Sequence, residues 1–482
     1  MKLNRKNLKL NSELPIRVVQ FGEGNFLRAF VDIAFQKLNN TAHFNAGIAV
    51  VQPIDRGLID VLNEQEGLYT LFLKGIKDGN IIREKHLISS IVKGINPYTD
   101  FANYMELAQE DALEFIISNT TEAGIAFDKN DTPEMQPPGS FPAKLTLFLF
   151  ERFKFYSGNE RKGLKIIPCE LINYNADTLR DIILKYIDKW ELGSEFEDWV
   201  VNHNSFHNTL VDRIVPGYPK DNIEEYKTEL LYEDNLIVTA ENFFLWVIEG
   251  DQDLEKRLPF DATGLDVKIV EDMQPFRTRK VRILNGSHTA MVPFSILYGN
   301  ETVKETVDDL FTGQFIYEAV FEEIIPTLKM EKTELEKFAH DVFDRFRNPF
   351  IRHLLSSIAL NSVSKFKVRV LPSLLAYVNK EGKLPLRLVF AFACLIRFYK
   401  GEWDGKQLPV NDGEEELSFF RNAWSLSTNE KTATSILSNV QFWDTDLTKV
   451  PGLKDAVVLA LSEIEGNGIE NGWQGYLSKL KQ

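Results

Sequence analysis

A parallel α/β domain followed by a largely α-helical one is the fold class that this chain of 482 residues predicts. Three observations predict it. Strand-like and helix-like segments alternate through the first half, the pattern of βαβ units laid on a parallel sheet. From about Val281 onward strand signals become sparse and amphipathic helical repeats take over. The length exceeds what one core ordinarily holds, and 44% hydrophobic against 26% charged residues is an ordinary globular composition, so two large domains fit.

The elements follow in order. "IRVVQFG" (Ile16 to Gly22) is apolar and β-branched and reads as a strand that turns at Gly22. "NFLRAFVDIAFQKLN" has helical periodicity, and "AGIAVVQ" (Ala46 to Gln52) is a second strand. "YTLFLKG" and "IIREKHLISSIV" read as an added antiparallel hairpin. "LEFIISN" (Leu113 to Asn119) and "LKIIPCEL" (Leu164 to Leu171) are further strands, each paired with a helix: "KLTLFLFERFKFY" and "ADTLRDIILKYIDKW". "EDMQPF" interrupts the pattern, which puts the domains at 1–274 and 275–482. Beyond it, "TVDDLFTGQFIYEAVFEEIIPTLK", "ELEKFAHDVFDRF" and "IRHLLSSIAL" are amphipathic helices. The longest apolar run, "LVFAFACLI" (Leu388 to Ile396), is too short to span a bilayer and reads as a buried core helix.

Composition narrows the function. Fifty-five basic against 70 acidic residues leave a formal charge of -15, which repels nucleic acid and anionic lipid and argues against both as partners. A small anionic substrate stays admissible, because one or two cations make a pocket locally positive. The two cysteines, Cys169 and Cys394, lie far apart, so no disulfide framework or cysteine-rich metal site is implied and a reducing cytoplasm fits. "MKLNRKNLKLNSELP" is basic but has no apolar core and does not read as a signal peptide. "HNSFH" spaces His203 and His207 like metal ligands but supplies no third ligand, so no metal is expected.

Between the first strand and its helix stands "FGEGNFLRAF". Gly22 and Gly24 form a G-x-G pair where a dinucleotide fingerprint belongs. The first glycine permits the tight turn, the second lets a pyrophosphate approach the backbone, and the N–H groups of the helix start, at Asn25 and Phe26, receive its charge. Leu27 stands at the third glycine position, and Ala29 is small enough to serve the close helix–strand packing instead. The alternative is a plain βα turn. After the second strand, Asp55 is placed to meet a ribose 2′-hydroxyl and Arg56 a 2′-phosphate. The cofactor reading is therefore NAD, with NADP not excluded. "SNTTEAG" (Ser118 to Gly124) follows a later strand, and its Asn119 and Thr121 fall where such sheets bind the rest of the dinucleotide.

"KVRILNGSHTAMV" (Lys280 to Val292) carries a lysine, an asparagine and a histidine among apolar residues. On an α-helix Lys280, His288 and Asn285 lie at about 0°, 80° and 140°, one broad face. A desolvated lysine exchanges a proton with an alcohol or carbonyl oxygen, and an asparagine amide hydrogen-bonds a developing oxyanion. Together they suit metal-free carbonyl–alcohol redox chemistry. A solvated lysine, a capping asparagine and a satisfied histidine are the alternative.

Lys-x4-Asn-x2-His together with "FGEGNFLRAF", "NTLVDRIVPG" (Asn208 to Gly217) and "RFRNPFIRHLLSSIALNSVSKFKVRVLP" (Arg345 to Pro372) resembles the long-chain mannitol dehydrogenase family across nearly the whole chain. The resemblance implies a Rossmann-type N-terminal domain, a largely helical C-terminal domain, NAD(P) and no catalytic metal. It implies Lys280 as general acid/base, Asn285 in the oxyanion-binding pair and His288 in contact with substrate. The family's second oxyanion asparagine falls, ungapped, at Leu171 of "PCELINYN", with Asn173 two residues on as its replacement. That stretch and "LNGSHTAMVP" are most similar to the branch acting on hexuronates. They imply interconversion of tagaturonate and altronate, ahead of mannonate, mannitol-type polyols or a non-redox NAD-binding role. A hexulosonate needs a cation for its carboxylate. Lys365, Arg369 and Arg28 are the candidates, each with a surface ion pair as its alternative.

Overall fold

Ile16–Phe21 (β1) pairs in parallel with Gly47–Val51 (β2) on one side and with Phe115–Ser118 (β6) on the other. Ile91–Ile95 (β5) extends the sheet beyond β2, and Lys165–Pro168 (β7) and Ser205–Phe206 (β8) extend it beyond β6. Six strands thus run in the order β5-β2-β1-β6-β7-β8, every neighbouring pair parallel. The computed structural model describes residues 1–10 and 14–480; the N-terminal stretch weighed as a leader includes residues 11–13, outside the described residues.

Unbroken apolar strands are what a sheet buried on both faces requires. Successive side chains on a strand point to opposite faces. Val18, Ile48, Val50, Phe115 and Ile117 accordingly enter one core, beneath Phe30 and Phe35 of the Asn25–Ala42 helix. Val19, Ala49, Val51 and Ile116 enter the other, with Phe148 and Tyr186 from the Phe141–Phe155 and Asn175–Lys189 helices. The chain leaves β1 for β2 on one side and later returns to β6 on the other. The end of β1 is therefore the point where strand order reverses, the place where such sheets bind ligands.

Tyr69–Lys77 (β3) and Asn80–Ile88 (β4) are neighbours joined through Asp78 and Gly79, both at positive φ (51° and 74°), as a two-residue hairpin turn requires. The segment read as the second hairpin strand is divided, however. It breaks at Ser89–Ser90, and the residues from Ile91 onward form β5 of the parallel sheet. Ser89 N–H donates to Gln36 Oε1 at 2.7 Å and Ser90 Oγ to Asp32 O at 3.2 Å, so bonds to the first helix turn the chain there. Thr209–Asp212 (β9), Val238–Glu241 (β10), Leu245–Glu249 (β11) and Val267–Val270 (β12) complete two smaller sheets, β10-β3-β4 and β12-β11-β9.

The chain divides into two units, one of residues 1–74 and 81–273, the other of 75–80 and 274–482. Beyond the tip of the β3–β4 hairpin, the described residues of the second unit are helical apart from the two-residue strands Glu402–Trp403 and Lys406–Gln407. At its centre, "LVFAFACLI" lies within the Leu386–Phe398 helix with every residue from Leu388 to Ile396 at most 1% exposed. Among the described residues no helix is long and apolar enough to cross a membrane.

Candidate active site

β1 ends at Phe21, and the chain must turn at once into the Asn25–Ala42 helix. Gly22 makes the turn at φ 123°, its N–H donating to Val51 O at 3.0 Å. A Cβ there would lie 3.0 Å from both Asn119 O and Leu27 Cδ1. The second contact explains how leucine stands at the third glycine position: Leu27, 1% exposed, fills the room that Gly22 leaves. Gly24 differs, because a Cβ on it would meet nothing within 4 Å, and no side chain caps the helix that starts after it. The first N–H groups of that helix, uncapped by a side chain, thus carry the positive end of its dipole next to that open space, a ready anion site. The residues present fit a dinucleotide pyrophosphate.

The side chains around this turn are engaged elsewhere. Asn25 Oδ1 accepts from Arg28 Nη2 at 2.8 Å, and Phe26 stacks on Phe30 at 4.9 Å. What Asn25 and Phe26 offer a cofactor is therefore backbone N–H. Arg28, 2% exposed, also donates to Glu23 O at 3.0 Å and to Leu236 O at 2.6 Å. Arg28, the residue weighed for a substrate carboxylate, thus braces the turn from within. "NTLVDRIVPG" braces the same helix: Arg213 donates to Ala29 O at 2.6 Å, and a Cβ on Gly217 would lie 2.5 Å from Asn25 Nδ2.

The neighbouring strand ends lie along the same edge of the parallel sheet. After β2, Gln52 is buried, whereas Asp55 and Arg56 are exposed in the following loop. After β6, Asn119 Nδ2 donates to Cys169 O at 2.8 Å, and Thr121 is exposed at φ 72°. Glu170, 2% exposed after β7, shapes this end. It accepts from Thr120 N–H and Oγ1 at 2.9 and 3.0 Å and from Ser118 Oγ at 3.0 Å, while burial pushes its carboxyl up. In "PCELINYN" Leu171 is 61% exposed and Asn173 is exposed too. Asn175 is fully buried, donating to Pro168 O at 2.9 Å and Thr209 Oγ1 at 3.1 Å. Of the two asparagines, only Asn173 is presented outward.

In the second unit "KVRILNGSH" is helical but not α-helical throughout. The Gln274–Arg279 helix passes into a π-helical turn over Lys280–Asn285 and then into the Gly286–Tyr298 α-helix. A π turn bonds residues five apart, so Asn285 stacks nearly above Lys280 as residues four apart do on an α-helix. His288 comes three residues later in α geometry, back by about 60°. The three side chains, spread over about 140° on an unbroken α-helix, are gathered into a stripe of roughly 60°. All three are half-buried.

Two further elements pack on this stripe. The turn after the Lys332–Phe346 helix, ordered by Phe350 N–H donating to Asn348 Oδ1 at 3.0 Å, brings His353 edge-on to His288 with ring centres 5.1 Å apart. Phe346 lies against the His288 ring at 4.4 Å. Burial, then the Arg345 charge, lowers the His353 pKa, which keeps that ring neutral near pH 7. The Ser362–Arg369 helix ends against the site: a Cβ on Gly286 would lie 3.1 Å from Arg369 O. Lys365 and Arg369, one turn apart and half-buried, both have their pKa lowered, mainly by burial. Lys365 Nζ donates to Ile358 O at 2.9 Å. His207, weighed for metal, has both ring nitrogens engaged by Glu249 O and Ser205 Oγ, each at 2.8 Å.

His353, Phe346 and Glu23 escaped sequence reasoning. His353 and Phe346 lay inside a segment already singled out by its resemblance, but no periodicity tied them to His288. Glu23 lay inside the G-x-G pair as its variable residue.

Comparison with known proteins agrees with this architecture. The model of the mannitol dehydrogenase Rossmann domain matches residues 16–262, and that of the mannitol dehydrogenase C-terminal domain matches residues 272–465. A protein of Bacillus subtilis named altronate oxidoreductase is 46% identical over 477 residues, covering 98% of either chain. One of Bacteroides thetaiotaomicron with the same name is 42% identical, covering 99% of this chain and 100% of the relative. Among solved structures, a D-sorbitol dehydrogenase in substrate-free form has a TM-score of 0.81 at 19% identity, covering 98% of this chain and 100% of that one. The Pseudomonas fluorescens mannitol 2-dehydrogenase complex with NAD and D-mannitol has 0.64 at 21%, covering 99% and 100%. Both speak to fold alone. With both domain models matched in sequence order and full-length relatives at this identity, the chain belongs to the mannitol dehydrogenase family.

Proposed function

We propose that the chain interconverts tagaturonate and altronate with NAD as hydride carrier, in the cytoplasm. The observation that carries this reading is the Lys280–Asn285–His288 stripe formed by the π turn in a chain 46% identical, end to end, to a protein named altronate oxidoreductase. The cytoplasm fits two buried, unpaired cysteines.

Held by its pyrophosphate at the Gly22–Gly24 turn, NADH would supply the hydride that converts the ketone carbon to an alcohol carbon. The chain does the rest. Lys280 Nζ gives its proton to the former carbonyl oxygen, so that ketone, hydride and proton sum to the alcohol; in the oxidative direction it takes the proton back. The Asn285 amide donates to that oxygen as negative charge grows on it. Asn173, outward on the β7 loop, offers a second amide in place of the one that Leu171 lacks. His288, steadied by Phe346 and His353, holds a substrate hydroxyl, and Lys365 with Arg369 receives the carboxylate.

Purified protein mixed with NADH is expected to consume it with tagaturonate and, in reverse, to reduce NAD with altronate. Turnover with fructuronate, fructose or mannitol but not with tagaturonate overturns the substrate; no net NADH change with any of them overturns the redox role.

A further inference from the structure

Dinucleotide-binding sheets ordinarily place an acidic residue at the end of β2, where it accepts from the adenosine ribose hydroxyls. Here β2 runs into Gln52, and the first acid beyond it, Asp55, is exposed. A different carboxylate occupies that end of the strand. Glu23, between the two glycines, directs Oε1 to Leu58 N–H at 3.3 Å. A Cβ on Gly57 would lie 2.0 Å from Glu23 Oε1 and 2.4 Å from Gln52 Oε1, so both side chains converge under the loop that follows β2. Glu23 is only 8% exposed, and its Oε2 is buried with no hydrogen-bond partner among the described residues. The segment lying against it, residues 54–58, is exposed along its length.

Resting on the proposed NAD reading, we infer that Glu23, from the Gly-rich turn itself, reads the adenosine ribose and sets the preference for NAD over NADP, in place of Asp55. A buried carboxylate oxygen without a donor is costly, and a ribose hydroxyl supplies the missing donor as a charge-assisted bond. Burial already pushes the Glu23 carboxyl up, as an uncompensated site requires. A 2′-phosphate brings only acceptors and negative charge to the same oxygen, so the group that welcomes NAD rejects NADP by repulsion.

The test is a fluorescence titration of the full chain with NADH and with NADPH, without substrate. The unaltered protein is expected to bind NADH at least tenfold more tightly than NADPH. In Glu23→Gln, NADH affinity falls at least fivefold and the preference contracts to within about threefold, whereas Asp55→Asn moves the preference less than twofold. The thermal midpoint without nucleotide reports folding. Should Glu23→Gln fail to fold, Gly57→Ala, which displaces the same carboxylate, is expected to contract the preference in its place. A preference unchanged in the folded Glu23 variant, or shifted as far by Asp55→Asn, overturns the inference and leaves the NAD reading standing. Unaltered protein that binds neither nucleotide overturns the NAD reading itself.

Discussion

At the Gly-rich turn of the first unit almost every side chain points inward. Arg28 is bonded to two carbonyls and to Asn25, Leu27 fills the space beneath Gly22, and Phe26 stacks on Phe30. At Lys280–His288 in the second unit the side chains are the proposed working parts, and a π-helical departure from α geometry lines them up. The difference stems from what each region has to hold. A pyrophosphate is bound by N–H groups and a helix dipole, so the side chains there are available to stiffen the turn. The proton transfer and oxyanion stabilisation proposed for the second region need side-chain functional groups within bonding reach of one atom, a need that the change of helix pitch there suits.

The contrast between backbone and side-chain work meets its hardest test in Lys280→Ala. Tagaturonate turnover is expected to fall by about 10³-fold, the size of lost general acid–base catalysis, while the Kd for NADH stays within about twofold. Steady-state rates and NADH titration check both, and unchanged turnover removes the lysine from the mechanism. Gly24→Val tests the opposite region. The added side chain enters open space on the protein, so the Tm without nucleotide should move by only about 2 °C. NADH affinity should fall by roughly 100-fold, because the backbone can no longer approach the pyrophosphate. A large loss of Tm with intact NADH binding would mean that the turn is purely structural.

The smallest effect concerns what lies under the turn. Asp32, on the same helix and fully buried, accepts from Tyr69 at 2.8 Å, and burial raises its carboxyl from 3.8 to about 7. Between these values the folded chain keeps a proton that the unfolded chain releases. Stability therefore falls as pH rises from about 4 to 7, by on the order of 1 kcal/mol per pH unit from this group. Asp32→Asn cannot titrate, and urea unfolding at pH 5 and pH 7 should show a shallower decline. Glu323, likewise buried and raised to about 7 in the second unit, keeps the variant's decline from vanishing. An unaltered slope would mean that Asp32 is ionised in the folded chain.

Much of the fold was legible because its signals are local. Apolar β-branched runs marked β1, β2, β6 and β7, and amphipathic periodicity marked the helices between them. The hairpin reading failed at Ser89–Ser90 because the bonds that turn the chain come from Gln36 and Asp32, more than fifty residues away. The G-x-G pair was legible for the same local reason, but the fate of Arg28 was not, since Leu236 O, its most distant partner, lies 208 residues on.

The residue types at the turn and on the Lys-x4-Asn-x2-His stretch, and with them the class of chemistry, are written in the sequence alone. Adjacent residues are tied by covalent spacing, and spacing is what motifs record. Tertiary packing was needed to gather Lys280, Asn285 and His288 into a narrow stripe, to bring His353 to His288, and to bury Glu23 rather than Asp55 at the end of β2. A π turn, a ring contact and a buried carboxylate each depend on what packs around them, and in a folded chain those neighbours come from distant sequence.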